Sequence, residues 1–430
     1  MSQARPKLPR VNIELINTGS ELLLGRVLNT HQQWLCRRLA DLGHVVTRQV
    51  AVADNGSEIQ NAVREALGRA SLVITTGGLG PTSDDLTRER IAALLGRKLV
   101  EHRGVTAHID NYFARRGRPR PARTRVESLV PEGARVFLNP NGTAPGLAIE
   151  IKPKTRSPKS KVGWLVMLPG PPRELRPMFD DSVAPLLKRE LPADLFVCRT
   201  LRTTGLGESR VQEMVEADLQ PLVQRGLEVG YCARPGAVDV RLAACGVGAR
   251  RLVRAGESAA KKNLGASIFG FDDDEIENVI VRLLTEQKKT LALAESCTGG
   301  AIAHRVTDVP GASQVFLGGL VSYSNASKRK FLGVRAETLR RHGAVSGAVA
   351  RDMARGARQR FGADLALGVT GIAGPGGGSP DKPVGTVFIA RASAAGVEVR
   401  SFLNIWDRAT FKQVTANQAL NMLFLQLMRT

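Results

Sequence analysis

A serine and a lysine of the kind that cooperate in nucleophilic catalysis follow two apolar segments in the last third of the chain. Ser296 lies in Glu295-Ser296-Cys297-Thr298-Gly299-Gly300, directly after the apolar run Leu291–Ala294 and before a predicted helix. A hydroxyl at a strand-to-helix turn is accessible, and the amides at the following helix N-terminus can bind an oxyanion. The same pattern fits Ser296 and Thr298 as helix caps equally well.

Tyr323 and Lys328 are candidates for activating this serine. Tyr323-Ser324-Asn325 closes the next predicted strand, and Lys328 lies one turn into the helix that follows. A lysine or a tyrosinate accepts a serine proton only if its pKa falls from about 10, which burial and a neighbouring cation bring about. Without Ser296 nearby, Lys328 would be interpreted as an ordinary surface lysine.

Cys297 is a rival nucleophile, because a thiolate is intrinsically more reactive than a hydroxyl. No histidine adjoins it in the sequence to activate it. The glycine-rich segment Val369–Gly378 also follows a buried strand, and it allows the backbone to approach a ligand phosphate or ring closely.

The first third of the chain carries two further polar turns after apolar strands. These are Thr18-Gly19-Ser20-Glu21 and the segment from Thr76-Gly77-Gly78-Leu79-Gly80-Pro81 to Asp84-Asp85. Consecutive glycine amides form a cradle for an anion, and the two carboxylates can hold a divalent cation against a pyrophosphate. The alternative is that Asp84 or Asp85 caps the helix that starts near Leu86.

Strands that alternate with helices predict an α/β fold in three parts. Residues 1–180 are expected to form a doubly wound domain with a parallel sheet, with a helix from about Glu21 to Leu42. Residues 190–268 are expected to form a small α+β module, and residues 272–430 a layered α/β domain. In the last domain we expect strands at Thr290–Ala294, Gly319–Ser322, Leu365–Val369 and Thr386–Ala390, and a closing helix from about Thr410 to Leu427.

The formal net charge of +21 is compatible with nucleic acid, anionic membranes or phosphorylated substrates as partners. Only 4% of the residues are aromatic, although stacking platforms for single strands need exposed rings. We therefore interpret the densest basic cluster as a solvated surface; it comprises Arg115, Arg116, Arg118, Arg120, Arg123 and Arg125. The basic insert between Glu150 and Gly163 is expected to be an exposed hairpin extension.

The chain has no run of about 18 apolar residues, and Met1–Arg10 lacks the apolar segment of a secretory signal. We expect a soluble, cytoplasmic protein without membrane association. The five cysteines show neither CxxC pairs nor zinc spacing, so reduced thiols and no structural zinc are expected.

Taken together, the motifs of the last third closely resemble the C-terminal domain of the CinA family, from about Ile276 onward. They are ESCTGG, VPGAS, YSN with a lysine three residues after the asparagine, HGAVS, GVTGIAGPGGG and KPVGTV. The resemblance implies hydrolysis of nicotinamide mononucleotide to nicotinic acid mononucleotide and ammonia without a cofactor. It implies Ser296 as nucleophile, activated by Tyr323 and Lys328, and substrate contacts from Thr298, Gly299, Gly300, Ser313, Asn325, Thr370, Gly371 and Arg408.

The resemblance assigns Arg408 to the phosphate end of the substrate, for which a guanidinium fork is suited. This chain departs from the family nearby. The family commonly has glycine before the Asp-Arg pair and a second arginine shortly after it, where this chain has Trp406 and, approximately, Lys412.

About the first 180 residues resemble the molybdopterin-binding fold of the MoaB, MogA and MoeA group, and its CinA branch still better. Asn141–Gly146 and Leu168–Pro172 add to the glycine turns in this likeness. It implies hydrolysis of ADP-ribose with cobalt or magnesium at Asp84 and Asp85, or ligand binding without catalysis. The implied nucleotide-binding residues are Gly19, Ser20, Glu21, Asn29, Gly77, Gly78, Gly80 and Thr87.

The resemblance further implies a KH-like middle module and a homodimer. Gly205 and Gly207 precede a helix in this module, but Glu208 follows where a nucleic-acid clamp needs basic residues. A nucleic-acid-associated protein is therefore the alternative and is not favoured.

Overall fold

A six-stranded sheet forms the centre of the first of two units. The computed structural model describes residues 11–152, 163–191 and 195–429. The first unit comprises Met1–Val197 with Cys245–Val247, and the second comprises Cys198–Ala244 with Gly248–Thr430. Most of the basic insert between Glu150 and Gly163 lies outside the described residues.

The elements of the first unit alternate between strands and helices in its first half. They are β1 (Ile13–Thr18), α1 (Ser20–Leu23), α2 (Thr30–Asp41), β2 (Arg48–Val52), α3 (Gly56–Leu67), β3 (Leu72–Thr76), α4 (Thr87–Leu94), β4 (Leu99–Glu101), α5 (Arg103–Ala114), β5 (Leu129–Pro131), β6 (Arg135–Phe137), β7 (Gly146–Ile151), β8 (Gly163–Leu168), α6 (Pro172–Met178) and α7 (Ala184–Glu190).

The sheet of this unit has the order β2-β1-β3-β8-β7-β6. Strands β2, β1, β3 and β8 run parallel, whereas β7 and β6 are antiparallel to their neighbours. The expectation of a parallel sheet is therefore correct for one side only. Strands β1, β3 and β8 are buried along their whole length, which explains their continuous apolar sequences.

The expected helix from Glu21 to Leu42 is wrong, because the chain breaks it between α1 and α2. Gly25 adopts a left-handed conformation with φ of 65°, which ends α1. Asn29 then starts α2 as its N-cap, and its side chain accepts a hydrogen bond from Gln32 N at 3.2 Å. The apolar spacing continued across the break and concealed it.

The second unit begins with an α+β module whose sheet has the order β10-β11-β9-β12. Its elements are β9 (Phe196–Thr204), α8 (Glu208–Val223), β10 (Glu228–Arg234), β11 (Ala237–Cys245), α9 (Ala249–Leu264) and β12 (Ile268–Phe271). Helix α9 and strand β12 were not expected from the sequence. Strand β12 completes the sheet by pairing antiparallel with β9.

A five-stranded sheet with the order β14-β13-β15-β16-β17 forms the rest of the second unit. Its elements are α10 (Ile276–Glu286), β13 (Leu291–Glu295), α11 (Ala301–Thr307), β14 (Phe316–Val321), α12 (Asn325–Leu332), α13 (Ala336–His342), α14 (Gly347–Phe361), β15 (Leu365–Gly371), β16 (Thr386–Ser393), β17 (Gly396–Leu403) and α15 (Arg408–Leu427). The four expected strands are present, and β17 is an additional one.

Strands β14, β13 and β15 are parallel, so their carboxyl ends meet at one edge of the sheet. Helices α10, α11 and α15 pack their apolar side chains on one face, including Ile280, Ile302 and Leu420, and α14 covers the other with Val349 and Met353. This layered arrangement holds the ends of the three parallel strands rigidly, at the place where ligands bind in α/β folds.

The surface features agree with a solvated basic exterior. All the arginines of the cluster are exposed apart from the half-buried Arg120, which pairs with Asp110 at 2.8 Å. Arg116 lies over the Tyr112 ring, 3.6 Å from its centre. Within the residues that the structure describes, no helix has the length and apolar character needed to cross a membrane.

Candidate active site

Ser296 lies at the end of β13, where the chain leaves the sheet. Its amide donates to the carbonyl of Val369 on β15 at 3.0 Å, which fixes its backbone to the neighbouring strand. Helix α11 starts only at Ala301 and is preceded by Gly300, whose φ of 93° is left-handed. Ser296 and Thr298 therefore do not cap this helix, and the helix-cap interpretation is wrong.

Glu295, which was not predicted as a site residue, occupies the N-terminus of α11. Its buried carboxylate accepts hydrogen bonds from the amides of Gly300 at 3.0 Å, Ile302 at 3.2 Å and Ala303 at 2.8 Å. The Gly299 amide donates to Ser296 O at 3.1 Å. The Gly299 and Gly300 amides were expected to be free to donate to an oxyanion. This expectation is wrong, because both amides already donate to acceptors within the chain.

Lys328 meets Ser296 inside the protein. Lys328 lies one turn into α12, which begins after its cap Ser324, and its side chain is 1% exposed. Its Nζ donates to Ser296 Oγ at 2.9 Å and to the carbonyl of Ser322 at 2.7 Å. Burial lowers the pKa of Lys328, which increases the fraction of neutral amine. The surface-lysine interpretation is wrong for this residue.

Cys297 points into the hydrophobic core and has the properties of a structural thiol. It is 5% exposed, and burial raises its pKa to about 12. A thiol with such a pKa is protonated near neutral pH and is a poor nucleophile. These properties favour Ser296 over Cys297.

Tyr323 and Arg408 bind each other rather than Ser296. The Tyr323 hydroxyl accepts a hydrogen bond from Arg408 Nη2 at 2.8 Å, and the tyrosine is 62% exposed. Arg408 Nη1 donates to the carbonyl of Gly374 in the glycine-rich segment at 2.7 Å. Arg408, at the first turn of α15, therefore links three segments at the carboxyl edge of the sheet.

The remaining residues implied by the resemblance lie in varied environments. The buried Thr370 donates from its hydroxyl to Ala344 O at 2.9 Å. The Thr298 hydroxyl is buried without a hydrogen-bond partner among the described residues. Asn325 is exposed at the start of α12, and Ser313 is exposed in the short turn Ala312–Gln314. Gly371 ends β15.

A cavity of about 590 Å³ in the second unit lies between helices α11 and α15 and the α+β module. Its lining includes Ala301, His304 and Arg305 of α11 and Lys412 of α15. Arg305 is paired with Glu277 at 2.6 Å. A Cβ on Gly299 would lie 3.5 Å from Lys412 Nζ, so Lys412 borders the segment that follows Ser296.

The first unit contains a second cavity, of about 400 Å³, at the carboxyl ends of its parallel strands. Some of the residues implied by the resemblance line it, namely Gly19, Glu21, Gly77, Gly78, Gly80, Asp84 and Asp85. Three others are not among its lining residues. Ser20 binds Asp54 through its amide at 2.8 Å, Asn29 caps α2, and the buried Thr87 hydroxyl contacts the Thr18 hydroxyl at 3.3 Å.

The glycines of this cavity serve internal packing. A Cβ on Gly78 would lie 2.1 Å from Thr87 Oγ1, and one on Gly80 would lie 2.6 Å from an oxygen of Asp85. Both substitutions would displace neighbouring side chains. Close packing inside the protein therefore explains why glycine occupies positions 78 and 80, and no ligand is needed to explain it.

Asp85 accepts hydrogen bonds from the amide of Thr82, at 2.9 Å, and from its hydroxyl. Neither Asp84 nor Asp85 caps α4, whose N-cap position is Leu86. No group of three or more His, Cys, Asp or Glu side chains suited to a metal ion occurs in the described parts of the chain. Within the described residues, Asp84 and Asp85 thus have no third His, Cys, Asp or Glu side chain placed to share a metal ion with them.

Glu127 is a cavity residue that the sequence did not reveal. It lies in the 3-10 turn Ala122–Ser128 and is 1% exposed. The pKa of Glu127 is raised to about 7. Burial is the main cause, the Thr143 hydrogen bond and the Arg88 charge act against it, and the charges of Asp85 and Glu174 add to it. Its Oε2 has no hydrogen-bond partner among the described residues, which costs about 1–3 kcal/mol for a buried polar atom.

Three family models match consecutive parts of the chain. The model for a probable molybdopterin binding domain matches residues 14–189, the model for the damage-inducible protein CinA KH domain matches 198–270, and the model for the CinA C-terminal domain matches 273–427. The chain therefore combines a molybdopterin-binding fold, a KH-like module and a CinA C-terminal domain, as the sequence predicted.

Relatives along nearly the whole chain extend this result. The chain is 44% identical to a CinA-like protein of Akkermansia muciniphila over 415 residues, which are 96% of this chain and 97% of that protein. It is also 44% identical to a putative competence-damage inducible protein of Moorella thermoacetica over 418 residues, 96% of this chain and 98% of that protein. The chain belongs to the CinA family.

Among solved structures, the competence/damage inducible protein CihA from Agrobacterium tumefaciens is 42% identical to this chain. The match covers 36% of this chain and 93% of that protein, with a TM-score of 0.35.

Proposed function

We propose that the C-terminal domain hydrolyses the carboxamide of nicotinamide mononucleotide to nicotinic acid mononucleotide and ammonia. The observation that carries this proposal is the 2.9 Å hydrogen bond between Lys328 Nζ and Ser296 Oγ, formed between buried side chains. A serine hydroxyl beside an amine with a lowered pKa is suited to acyl transfer. Membership of the CinA family supports the choice of substrate.

The proposed reaction has two halves. Neutral Lys328 takes the proton of Ser296 as Oγ attacks the carboxamide carbon, and it returns that proton to the nitrogen as the C–N bond breaks and ammonia leaves. A water molecule then attacks the acyl-serine ester and gives a proton to Lys328. Release of the acid returns this proton to Ser296, so the enzyme is regenerated.

The phosphate of the substrate has a role in this scheme through Arg408. A phosphate oxygen is charged and therefore a stronger acceptor for a guanidinium than a phenol is. The phosphate end of the mononucleotide displaces the Tyr323 hydroxyl from Arg408, which releases the exposed Tyr323 side chain toward Ser296 and Lys328. Binding of the correct substrate thereby brings the third proton-handling group to the site.

Ammonia release from nicotinamide mononucleotide by purified full-length protein tests the assignment. Ser296→Ala is expected to abolish ammonia release, and Cys297→Ala is a matched control that changes the next residue and is expected to retain most of it. Full activity in Ser296→Ala would exclude Ser296 as the nucleophile.

Hydrolysis of ADP-ribose by the first unit is a second proposed activity, supported by family membership and by a cavity at the carboxyl ends of parallel strands. As arranged, the carboxylates of the cavity do not form a metal site on their own, so we assign no step to a metal. Release of AMP from ADP-ribose with cobalt or magnesium present is the relevant assay. Absence of turnover with either metal would leave this unit a binding role only.

A further inference from the structure

The cavity of the first unit is strongly acidic, although the whole chain carries a net charge of +21. Its lining includes six carboxylates, from Glu21, Asp54, Asp84, Asp85, Glu127 and Glu174. None of the described residues that line it is lysine, arginine or histidine. A phosphate without a bound cation would be repelled by these side chains, so the glycine amides alone do not make this cavity an anion site.

Glu127 differs from the other carboxylates in its burial and in its bonding. Glu174 accepts a hydrogen bond from Asn139 at 2.8 Å, and Asp85 accepts two from Thr82. Glu127 Oε1 accepts from the Thr143 hydroxyl at 2.9 Å, but Oε2 has no partner among the described residues. Both Glu127 and Thr143 line the cavity, so a ligand that fills it contacts this pair.

A buried acceptor without a donor is rare in folded proteins, and where such an atom belongs to a residue that lines a cavity, a molecule in the cavity can complete its bonding. For the ionised form of Glu127 the missing partner is a hydrogen-bond donor, and the surrounding carboxylates favour a donor that is neutral or positive. Hydroxyl pairs of a ribose and the amino and ring N–H groups of a base have this chemistry, whereas phosphate has not.

We propose that Glu127 is a ligand-binding residue of the first unit and accepts hydrogen bonds from the uncharged nucleoside part of a nucleotide ligand. Phosphate groups of such a ligand extend away from Glu127. The inference rests on the proposed nucleotide binding by this cavity and is independent of the chemistry at Ser296.

Isothermal titration of the full-length protein with adenosine, ribose 5-phosphate, ADP-ribose and inorganic pyrophosphate tests the proposal. We expect ADP-ribose to bind. Binding of adenosine or of ribose 5-phosphate then shows whether the base or the sugar provides the hydrogen-bond donor. Glu127→Gln places an amide N–H₂ toward the ligand, and Glu127→Leu removes the acceptor. Each is expected to weaken ADP-ribose binding at least tenfold, whereas the exposed Glu132→Gln is the matched control and changes nothing.

The proposal is overturned if neither adenosine, ribose 5-phosphate nor ADP-ribose binds the wild type. It is also overturned if both Glu127 variants, shown by thermal melting to be folded, bind ADP-ribose as the wild type does, or if pyrophosphate binds as tightly as ADP-ribose. Ammonia release measured on the same samples reports the other unit separately. A failure of the Ser296 assignment is therefore distinguishable from a failure of this one.

Discussion

Replacing Tyr323 by phenylalanine separates two consequences of its hydrogen bond to Arg408. The variant keeps the aromatic ring and removes only the hydroxyl that accepts from Arg408 Nη2 at 2.8 Å. In the proposed scheme this hydroxyl competes with the substrate phosphate before binding and assists proton transfer after it. The variant should therefore bind the mononucleotide more tightly and turn it over more slowly.

The size of the binding effect follows from the environment of the hydrogen bond. The donor is charged, but Tyr323 is 62% exposed, so water competes and the net contribution is about 1 kcal/mol. Removing the competitor should lower the dissociation constant about fivefold. Loss of a proton-handling group should lower kcat by about 100-fold.

Binding is measured by titrating nicotinamide mononucleotide into Ser296→Ala and into Ser296→Ala/Tyr323→Phe, which avoids turnover. Nicotinamide riboside lacks the phosphate, and its affinity should not differ between the two proteins. Weaker or unchanged mononucleotide binding in the double variant would refute the exchange at Arg408, because a purely structural tyrosine would impair binding and turnover together.

Three further predictions concern titration and anchoring. Burial lowers the pKa of Lys328, and the neutral amine is the proposed base. The value of kcat/KM should therefore rise with pH and reach its plateau at a lower pH than a free lysine would give. A flat profile between about pH 6 and 10 would contradict this. Glu127 has a raised pKa, so its contribution to stability is present below about pH 4.5 and lost as pH rises through about 7. Glu127→Gln should therefore stabilise the first unit by up to about 3 kcal/mol at pH 8 and by little at pH 4.5. Thermal midpoints of the variant and the wild type are compared at the two pH values. The same difference in midpoint at both pH values would exclude the raised pKa of Glu127. Glu295→Gln should destabilise the second unit by about 1–3 kcal/mol through its bonds to α11, which urea unfolding measures against the exposed control Glu286→Gln; an unchanged midpoint would remove the anchoring role.

The sequence was informative wherever burial imposed a pattern. Strands β1, β3, β13 and β15 are fully or almost fully buried, and their continuous apolar runs identified them. The expectation that Lys328 activates Ser296 rested on the residue types and on the resemblance to the CinA family, and the parallel pairing of β13 with β14 explains why the two segments meet. Strand β17 was missed because its exposed and half-buried residues gave no comparable apolar run.

The unpredicted parts depend on contacts between residues far apart in the chain. Arg408 and Tyr323 are 85 positions apart, and nothing local to either residue indicates that they bind each other. Glu127 follows Arg123 and Arg125, so the sequence placed it in an exposed charged segment, although its side chain is buried. The role of Glu295 was missed because the amides after Ser296 were expected to bind an anion of the substrate. In the structure the Glu295 carboxylate is the acceptor for the amides of Gly300, Ile302 and Ala303.

Glu295 and Ser296 are consecutive residues, so the segment that carries the Ser296 hydroxyl is attached directly to helix α11. The Glu295 carboxylate accepts hydrogen bonds from the first turn of α11, and the Ser296 hydroxyl accepts one from Lys328. A single peptide bond therefore separates the residue that binds the helix from the residue that binds the lysine. Ser296 is therefore held from two sides, through Glu295 to α11 and through its own amide to Val369 of β15. The same helix contributes Ala301, His304 and Arg305 to the lining of the 590 Å³ cavity, so one element borders both this cavity and the segment that carries Ser296.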